Sequence, residues 1–262
     1  MSDASQNFSI PAYRQRFLAG FVDDHGSVTI KEAAAICGLS EATVRRDLDE
    51  MAEKSMLVRT RGGAVKFSST GFEQIQDARM KVMVGEKRRI ATAAAKLVRE
   101  GESVILDSGT TTFFIAEELA KRENITIITN NLAIAYCVPM NPLSSMIVAG
   151  GIRREGHSML TGISTEEFIR TVNVDTVFLG CDSVDLIGGN IYNSSFMEVG
   201  VKKQMIKSGK NVYLAADHAK FARKSLARVA SLDEFHGIVT DSGLDREARM
   251  ALEERGMHVI LA

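Results

Sequence analysis

The sequence predicts an α/β protein with a small helical N-terminal domain and a larger C-terminal domain built on a parallel sheet. Three observations support this prediction. Short helical patterns and one glycine-centred hairpin pattern fill the first 67 residues. From residue 75 onward, short apolar runs alternate with helical patterns, which is typical of a parallel sheet covered on both faces. Because "SSTG" at 68–71 has the composition of a linker, we predict domains 1–67 and 75–262 joined by a linker at 68–74.

Composition sets broad limits on function. The chain has 262 residues, 25% of them charged, and a net charge of −1, so overall charge neither favours nor excludes a nucleic-acid partner. No signal peptide begins the sequence, and no apolar run reaches the roughly 20 residues that span a bilayer. The three cysteines are far apart and form no C-x-x-C motif. We therefore expect reduced thiols in a cytoplasmic protein without a membrane partner.

The N-terminal domain begins with three predicted helices. Helical spacing of apolar residues predicts the first over 12–24, and "SVTI" follows as a short extended link. The second helix covers 31–37 and ends at Gly38, as a C′ glycine does. Ser40 caps the third helix, which continues to about Lys54. In "LVRTRGGAVKF", two extended runs flank Gly62-Gly63, so we predict a hairpin with a primed turn at the two glycines. Three helices and a hairpin form a winged helix-turn-helix.

The third helix has the pattern of a recognition helix. Three apolar residues share its inner face: Val44, Leu48 and Met51. Ala42 and Arg46 fall on the opposite face, flanked by Thr43 and Arg45. A small residue allows close approach to base edges, and Arg can form two parallel hydrogen bonds to guanine in the major groove.

Adjacent arginines on a helix also have an ordinary explanation. Exposed pairs of this kind usually belong to a solvated face, here with Asp47, Asp49 or Glu50 as ion-pair partners. Residues 1–70 carry nine Lys/Arg and nine Asp/Glu, so the domain is not basic. DNA binding is favoured because a turn glycine, a capping serine, outward arginines and a basic hairpin occur in order. The predicted DNA-contacting residues are Ser40, Ala42, Thr43, Arg45, Arg46, Arg59, Arg61, Gly62, Gly63 and Lys66.

The C-terminal domain alternates helices and strands. The predicted helices lie near 75–99, 111–121, 131–137, 164–172, 198–208 and 245–255. The intervening strands are "SVILD", "ITIIT", "MIVAGG", "VDTVFLG", "NVYLAAD", "GIVTD" and "HVILA". Ligands of such sheets bind at the carboxyl ends of the strands, which indicates where a site should be sought.

One strand end has the composition of a phosphate site. In "LDSGTTT", Gly109 permits close backbone approach, and Thr110, Thr111 and Thr112 add hydroxyl donors at a helix N-terminus. One N-cap needs a single side-chain oxygen, and three consecutive threonines exceed that need. An ordinary capped turn nevertheless explains this segment equally well. Polar residues also follow later strands, among them Asn130, Gly151, Asp182 and Lys220. Each is singly more typical of a turn or cap, and their shared position after strands is the argument for a ligand site.

Both regions resemble the DeoR family of bacterial transcriptional regulators. The segment "GSVTIKEAAAICGLSEATVRRDLDEM" with "LVRTRGGA" is similar to that family's N-terminal signature, with Arg61 at a usual histidine position. The segments "LDSGTTT", "TNN", "AGG", "FLGCDSVD" and "ADHAKF" are similar to its effector-domain signatures. The resemblance implies a domain of the ribose-5-phosphate isomerase and CoA-transferase-like fold that binds a sugar phosphate. The effector residues predicted on this basis are Asp107, Ser108, Gly109, Thr110, Thr111, Thr112, Asn130, Gly151, Asp182, Glu198 and Lys220.

Two other classes of protein stay open. A sugar-phosphate isomerase would use acidic and basic groups at the same strand ends, but it has no use for a winged domain. A DNA-binding protein without a ligand leaves the large C-terminal domain unexplained. No nucleophile elbow, Walker loop or H-E-x-x-H motif occurs, so we expect no enzyme activity, no metal and no cofactor. We predict a repressor of a sugar or polyol catabolic operon that binds double-stranded operator DNA as a homodimer or homotetramer.

Overall fold

The computed structural model describes residues 8, 10–53, 56–60, 62–66, 79–153 and 158–262. The chain divides into two compact units, Met1–Gln74 and Ile75–Ala262. The predicted linker at 68–74 lies outside the described residues, so the exact domain boundaries stay a prediction. Among the helices that are described, none is long and apolar enough to cross a membrane.

The N-terminal unit has the predicted three helices and hairpin. Its elements are α1 (Pro11–His25), β1 (Ser27–Thr29), α2 (Ile30–Cys37), α3 (Glu41–Glu53), β2 (Leu57–Thr60) and β3 (Gly63–Lys66). Gly26 and Gly38 end the first two helices in the left-handed conformation, as predicted for Gly38. The strands form an antiparallel sheet in the order β1-β3-β2. Leu18, Val44 and Leu48 are fully buried in the small core between helices and sheet.

The predicted position of the hairpin turn is wrong by one residue. Thr60 pairs with Gly63, so residues 61–62 connect the strands and Gly63 belongs to β3. Neither Gly62 nor Gly63 has the positive φ of a primed turn. A Cβ on Gly63 would lie 2.0 Å from the carbonyl oxygen of Val28. The second glycine is therefore required because β1 and β3 approach closely, and not because of a turn conformation.

A seven-stranded parallel sheet forms the centre of the C-terminal unit, as predicted. Its spatial order is β15-β14-β12-β9-β4-β5-β6. The strands are β4 (Ser103–Leu106), β5 (Thr126–Thr129), β6 (Ser145–Val148), β9 (Val174–Leu179), β12 (Gly209–Ala215), β14 (Gly237–Thr240) and β15 (His258–Leu261). Along β4, Ile105 packs into one apolar cluster while Val104 and Leu106 pack into the other. Both faces of the sheet are thus covered, which explains its continuous apolar runs.

Helices and short strands complete the unit. The helices are α4 (Val84–Ala95), α5 (Thr110–Leu119), α6 (Leu132–Cys137), α7 (Ile163–Arg170), α8 (Val199–Ser208) and α9 (Arg246–Glu254). The sequence did not predict an antiparallel pair, β7 (Ile152–Arg153) with β8 (Leu160–Thr161). It also missed a three-stranded antiparallel sheet of β10 (Ser183–Asp185), β11 (Asn190–Asn193) and β13 (Ala227–Ser231). These strands are short, and β10 falls in a segment that was interpreted as a ligand loop.

The single helix predicted near 75–99 is wrong. Residues 75–78 are not described, residues 79–81 are helical, and Met83 breaks the helix with a left-handed φ of 54°. The Nζ of Lys87 donates to the carbonyl oxygens of Arg79 (2.6 Å) and Val82 (2.8 Å), which satisfies backbone acceptors at the break. At the other end, Arg122 donates to the carbonyls of Ala95 and Val98, and the helix stops there.

The two glycines of the hairpin provide a test of the fold. We expect Gly63→Ala to destabilise the winged sheet by about 2 kcal/mol or more, because backbone atoms of β1 would have to move. Gly62→Ala is the matched control, because open space surrounds that Cβ position. It should change stability by less than about 0.5 kcal/mol. Hydrogen-exchange mass spectrometry of peptides covering 27–66 measures both effects, and equal protection in the two variants would contradict the close approach.

Candidate nucleic-acid interface and effector cavity

The described part of α3 presents the predicted outer face to solvent. Ala42, Arg45 and Arg46 are exposed, whereas Val44, Leu48 and Met51 are completely buried. Ser40 caps the helix, since its Oγ accepts from the backbone N–H of Thr43 at 3.2 Å. The hydroxyl of Thr43 lies 2.9 Å from the same oxygen. The helix therefore has a fixed N-terminus and an outward surface of one small and two cationic residues.

The acidic residues near the arginines have other partners. A buried, bidentate ion pair joins Asp47 to Arg14 of α1, with distances of 2.5 and 2.7 Å. Asp49 pairs with Arg59, and Glu50 accepts from Gln15. The exposed pair of Arg45 with Glu41 is 3.5 Å long and is screened by solvent.

Arg46 makes no ion pair with any residue that the structure describes. The ordinary explanation of the two arginines, neutralisation by Asp47, Asp49 or Glu50, therefore does not apply to either of them in this structure. Arg45 pairs with Glu41 at the surface and Arg46 is exposed, so both guanidinium groups are accessible to solvent.

The hairpin residues have more varied environments than predicted. Arg59 donates to Asp49 at 2.5 Å and to the carbonyls of Thr60 and Gly63, so it fixes the wing on α3. Gly62 is exposed at the turn and accepts from the N–H of Ile30. Arg61 lies outside the described residues, and for Lys66 only the backbone of β3 is described. Contact of these residues with DNA stays a prediction.

The second site is a cavity of about 260 Å³ in the C-terminal unit. It lies at the carboxyl ends of β4, β9 and β12, three neighbouring strands of the sheet. Seven of the predicted effector residues line it: Ser108, Gly109, Thr110, Thr111, Asp182, Glu198 and Lys220. These residues are far apart in sequence, and the parallel sheet brings them together.

The N-terminus of α5 opens into this cavity without a side-chain cap. Gly109 is the N-cap residue, and no side chain accepts a hydrogen bond there. Thr112 does not line the cavity, because its hydroxyl donates to the carbonyls of Asp107 and Gly109. The first turn thus offers backbone N–H groups and the hydroxyls of Thr110 and Thr111 to the cavity. An anion suits this position, because the helix dipole is positive there.

Cationic side chains line the same cavity. They are Arg79, Lys87, Lys202, Lys220 and Arg223. Lys87 is buried, and its burial lowers its pKa to about 8. The charge of Asp217 opposes this change, whereas Lys220, Arg79 and Arg223 lower the pKa of Lys87 further. Several cationic side chains are therefore close together and partly removed from water. A bound anion would offset their mutual repulsion, so this arrangement favours an anion over an empty site.

Three carboxylates also line the cavity. Asp182 accepts from the hydroxyl (2.5 Å) and the N–H (2.8 Å) of Ser194, and lies 3.4 Å from Arg79. Burial would raise the pKa of Asp182, but Ser194 and Arg79 hold it below its usual value. Glu198 accepts from Asn193, and Asp217 caps a short 3₁₀ helix over His218–Lys220. Carboxylate oxygens of this kind can accept hydrogen bonds from ligand hydroxyls.

A buried ion pair connects the strand ends below the cavity. The Nζ of Lys202 contacts Oδ2 of Asp107 and donates to the carbonyl of Gly180 at 2.9 Å. The same carboxylate oxygen accepts from the N–H of Gly180 at 3.0 Å. Burial opposes the charge on Lys202, but the charge of Asp107 raises its pKa above the usual value. Asp107 therefore positions the loop after β9 and does not line the cavity.

Two further predicted effector residues make contacts within the protein and do not line the cavity. Asn130 is fully buried, and its amide donates to the carbonyl of Leu160, which ties β8 to the end of β5. Gly151 packs against α7, where a Cβ would lie 1.9 Å from Oγ1 of Thr165. Both follow strands nearer the β6 edge of the sheet, so neither lines the described cavity. Whether they contact an effector stays a prediction.

Sequence reasoning missed several residues of the cavity. They are Arg79, Lys87, Asn193, Lys202, Asp217 and Arg223. Asp217 alone had a signal, since it follows a predicted strand in "AADHAKF". The others come from helices, from an antiparallel strand or, for Arg223, from the loop before β13, where the strand-end rule gives no indication.

The described residues offer no cluster for a metal and no assembled catalytic triad. No three His, Cys, Asp or Glu residues among them are arranged to hold an ion. His218 bonds through Nδ1 to Asp241 at 2.7 Å, and not to its neighbour Asp217. The thiol of Cys181 lines the cavity, but burial raises its pKa to about 12. It is therefore not a reactive nucleophile.

The chain combines a helix-turn-helix unit with a second unit that holds a cavity lined by cationic side chains. Residues 14–70 match the family described as the DeoR-like helix-turn-helix domain, and residues 82–242 match the DeoR C terminal sensor domain. The chain belongs to the DeoR family. It is a DNA-binding transcriptional regulator and not an enzyme, as the sequence predicted.

Known proteins resemble the chain over most of its length. It is 36% identical to the transcriptional repressor AccR of Agrobacterium fabrum, over 88% of this chain and 89% of that protein. It is 31% identical to the glycerol-3-phosphate regulon repressor of Escherichia coli, over 87% and 90%. Among solved structures, ribose 5-phosphate isomerase from Plasmodium falciparum matches 53% of each chain, with a TM-score of 0.36 and 16% identity.

The exposed guanidinium of Arg46 generates a test. We expect Arg46→Ala to weaken specific DNA binding about 5- to 150-fold, the equivalent of losing one bidentate base contact. The probe is a fragment that the wild-type protein selects from random DNA, and fluorescence anisotropy measures affinity. Arg249→Ala is the charge-matched control, because Arg249 is an exposed residue of α9 in the other unit. Equal affinities of the two variants would argue against α3 as the recognition helix.

Proposed function

We propose that the protein is a cytoplasmic repressor of a sugar or polyol catabolic operon, and that a phosphorylated sugar or polyol controls its binding to operator DNA. The observation that carries this proposal is the uncapped N-terminus of α5, which faces a cavity lined by cationic side chains. The relative that represses a glycerol-3-phosphate regulon supports a small phosphorylated effector.

The cavity suits a phosphate monoester that also carries hydroxyl groups. The phosphate would accept hydrogen bonds from Ser108, Gly109, Thr110 and Thr111, and its charge would be balanced by Lys87 and its cationic neighbours. Asp182 and Glu198 would accept from hydroxyls of the ligand. An uncharged sugar would leave the partly desolvated cations without a counterion and is therefore disfavoured.

We propose that the segment around Arg79–Met83 conveys binding to the rest of the chain. Arg79, Val82 and Met83 line the cavity, and in sequence they follow the region between the two units. Arg79 is held by a 3.4 Å ion pair with Asp182, and the backbone of this segment is held by Lys87. A phosphate would compete for both cations and so change the restraints on the segment. Coupling of about 1–3 kcal/mol changes operator affinity about 5- to 150-fold.

The hydroxyls at the α5 N-terminus allow a direct test. Thr110→Val combined with Thr111→Val should weaken effector binding about 100-fold, because two hydrogen bonds to a charged group are lost. Affinity for DNA without effector should stay the same. Thermal shift with triose, pentose and hexose phosphates identifies the ligand on the wild-type protein, and calorimetry then measures its affinity.

Thr92→Val is the control for this double variant, because Thr92 is exposed on α4 and bonds only to the backbone of its own helix. A double variant whose DNA binding still responds at wild-type effector concentrations would place the phosphate elsewhere. A wild-type protein that binds none of these phosphates would contradict the proposed effector class.

Lys87 predicts how effector binding depends on pH. A phosphate raises the pKa of Lys87, so affinity should be complete below about pH 8 and fall above it, by up to about tenfold per pH unit. The ligand stays dianionic above pH 7.5, so its own titration does not interfere. Lys87→Arg keeps the charge and should remove the decline. Calorimetry from pH 7.5 to 9.5 tests this, and the same decline in both proteins would exclude Lys87 as its source.

A further inference from the structure

The strand β6 forms one edge of the parallel sheet. Its outer backbone edge and its side chains on both faces of the sheet are open. It pairs with β5 on one side, and nothing in the described residues pairs with its other side. Ile147 and Val148 point to opposite faces of the sheet, and each is about 40% exposed. Parallel sheets are normally buried on both faces, so this edge is unusual.

Large apolar side chains are concentrated around this strand. We define the edge patch as these exposed apolar residues of β6 and of the chain before and after it: Tyr136, Leu143, Ile147, Val148, Ile152 and Ile163. Tyr136 is 92% exposed and Ile152 is 68% exposed. Ile152 lies beside Gly162, and Ile163 follows directly. A concentration of exposed apolar side chains in one stretch of chain is a candidate interaction site.

The sequence of this region contains no charge. Residues 124–152 include no Asp, Glu, Lys or Arg, although a quarter of the chain is charged. Natural sheet edges are usually protected by charged residues or proline, and β6 itself has neither. Loss of charge at the centre of a surface is also the compositional mark of a protein interface.

We propose that β6 pairs with β6 of a second copy of this chain across a two-fold axis. An open strand edge takes another strand, and a two-fold axis places the same uncharged residues opposite each other without repulsion. This arrangement covers the open backbone groups and both apolar faces together. A two-fold dimer also supplies the two recognition helices that an operator with two half-sites requires. The inference does not depend on the identity of the effector.

Analytical ultracentrifugation of the full chain tests this pairing. The wild-type protein should sediment as a dimer or a larger even-numbered assembly at micromolar concentration. Ile147→Lys should halve the mass of the assembly, so that a dimer becomes a monomer or a tetramer becomes a dimer. The reason is that two like charges would meet at the two-fold axis. Ile187→Lys is the control, since Ile187 is 96% exposed on the hairpin between β10 and β11, and it should leave the mass unchanged.

Charge reversal distinguishes a two-fold pairing from general loss of structure. The Ile147→Glu variant, measured by itself, should also sediment as the dissociated form. An equimolar mixture of the Lys and Glu variants should restore the wild-type mass. Unchanged melting temperatures show that both variants fold. A monomeric wild-type protein, an Ile147→Lys variant with the wild-type mass, or a mixture that stays dissociated would each overturn the proposal.

Discussion

A buried ion pair between Lys202 of α8 and Asp107 at the end of β4 holds the sensor cavity in shape. Both groups are almost inaccessible to solvent, and both also bond to the backbone of Gly180 after β9. One contact therefore joins a helix to the ends of two strands. Breaking a buried pair leaves an uncompensated charge, which is strongly destabilising. The position of the α5 N-terminus relative to Asp182 and Lys220 depends on this restraint.

The two proposed anion-binding sites differ in their physical environment. On α3 the cations are exposed and carry no buried partner, so their contribution to binding is long-ranged and sensitive to salt. In the cavity, Lys87 is desolvated and crowded by other cations, so a small anion gains more from each contact. A surface for DNA and a concave site for a metabolite are what a ligand-controlled regulator requires.

Much of this could be predicted from sequence, because the relevant signals are local. The helix ends at Gly38 and Ser40, the outward arginines of α3 and the parallel strands all follow from residue type and spacing. The strand-end rule and the family resemblance together found seven residues of the cavity.

Other features depend on contacts between distant residues. The break at Met83 and the burial of Lys87 leave no trace in a helical pattern. Asp107 and Asn130 follow strands, as ligand residues do. Their hydrogen bonds, however, join distant segments of the protein. Gly63 looks like a turn glycine, and only the close approach of β1 explains why a glycine is needed there.

The central claim is that a phosphate binds at the α5 N-terminus, and ¹H–¹⁵N NMR tests it most directly. On titration with the phosphorylated sugar that stabilises the protein, the amides of Gly109, Thr110 and Thr111 should shift most and saturate together. Saturable shifts confined to other parts of the chain would contradict this account.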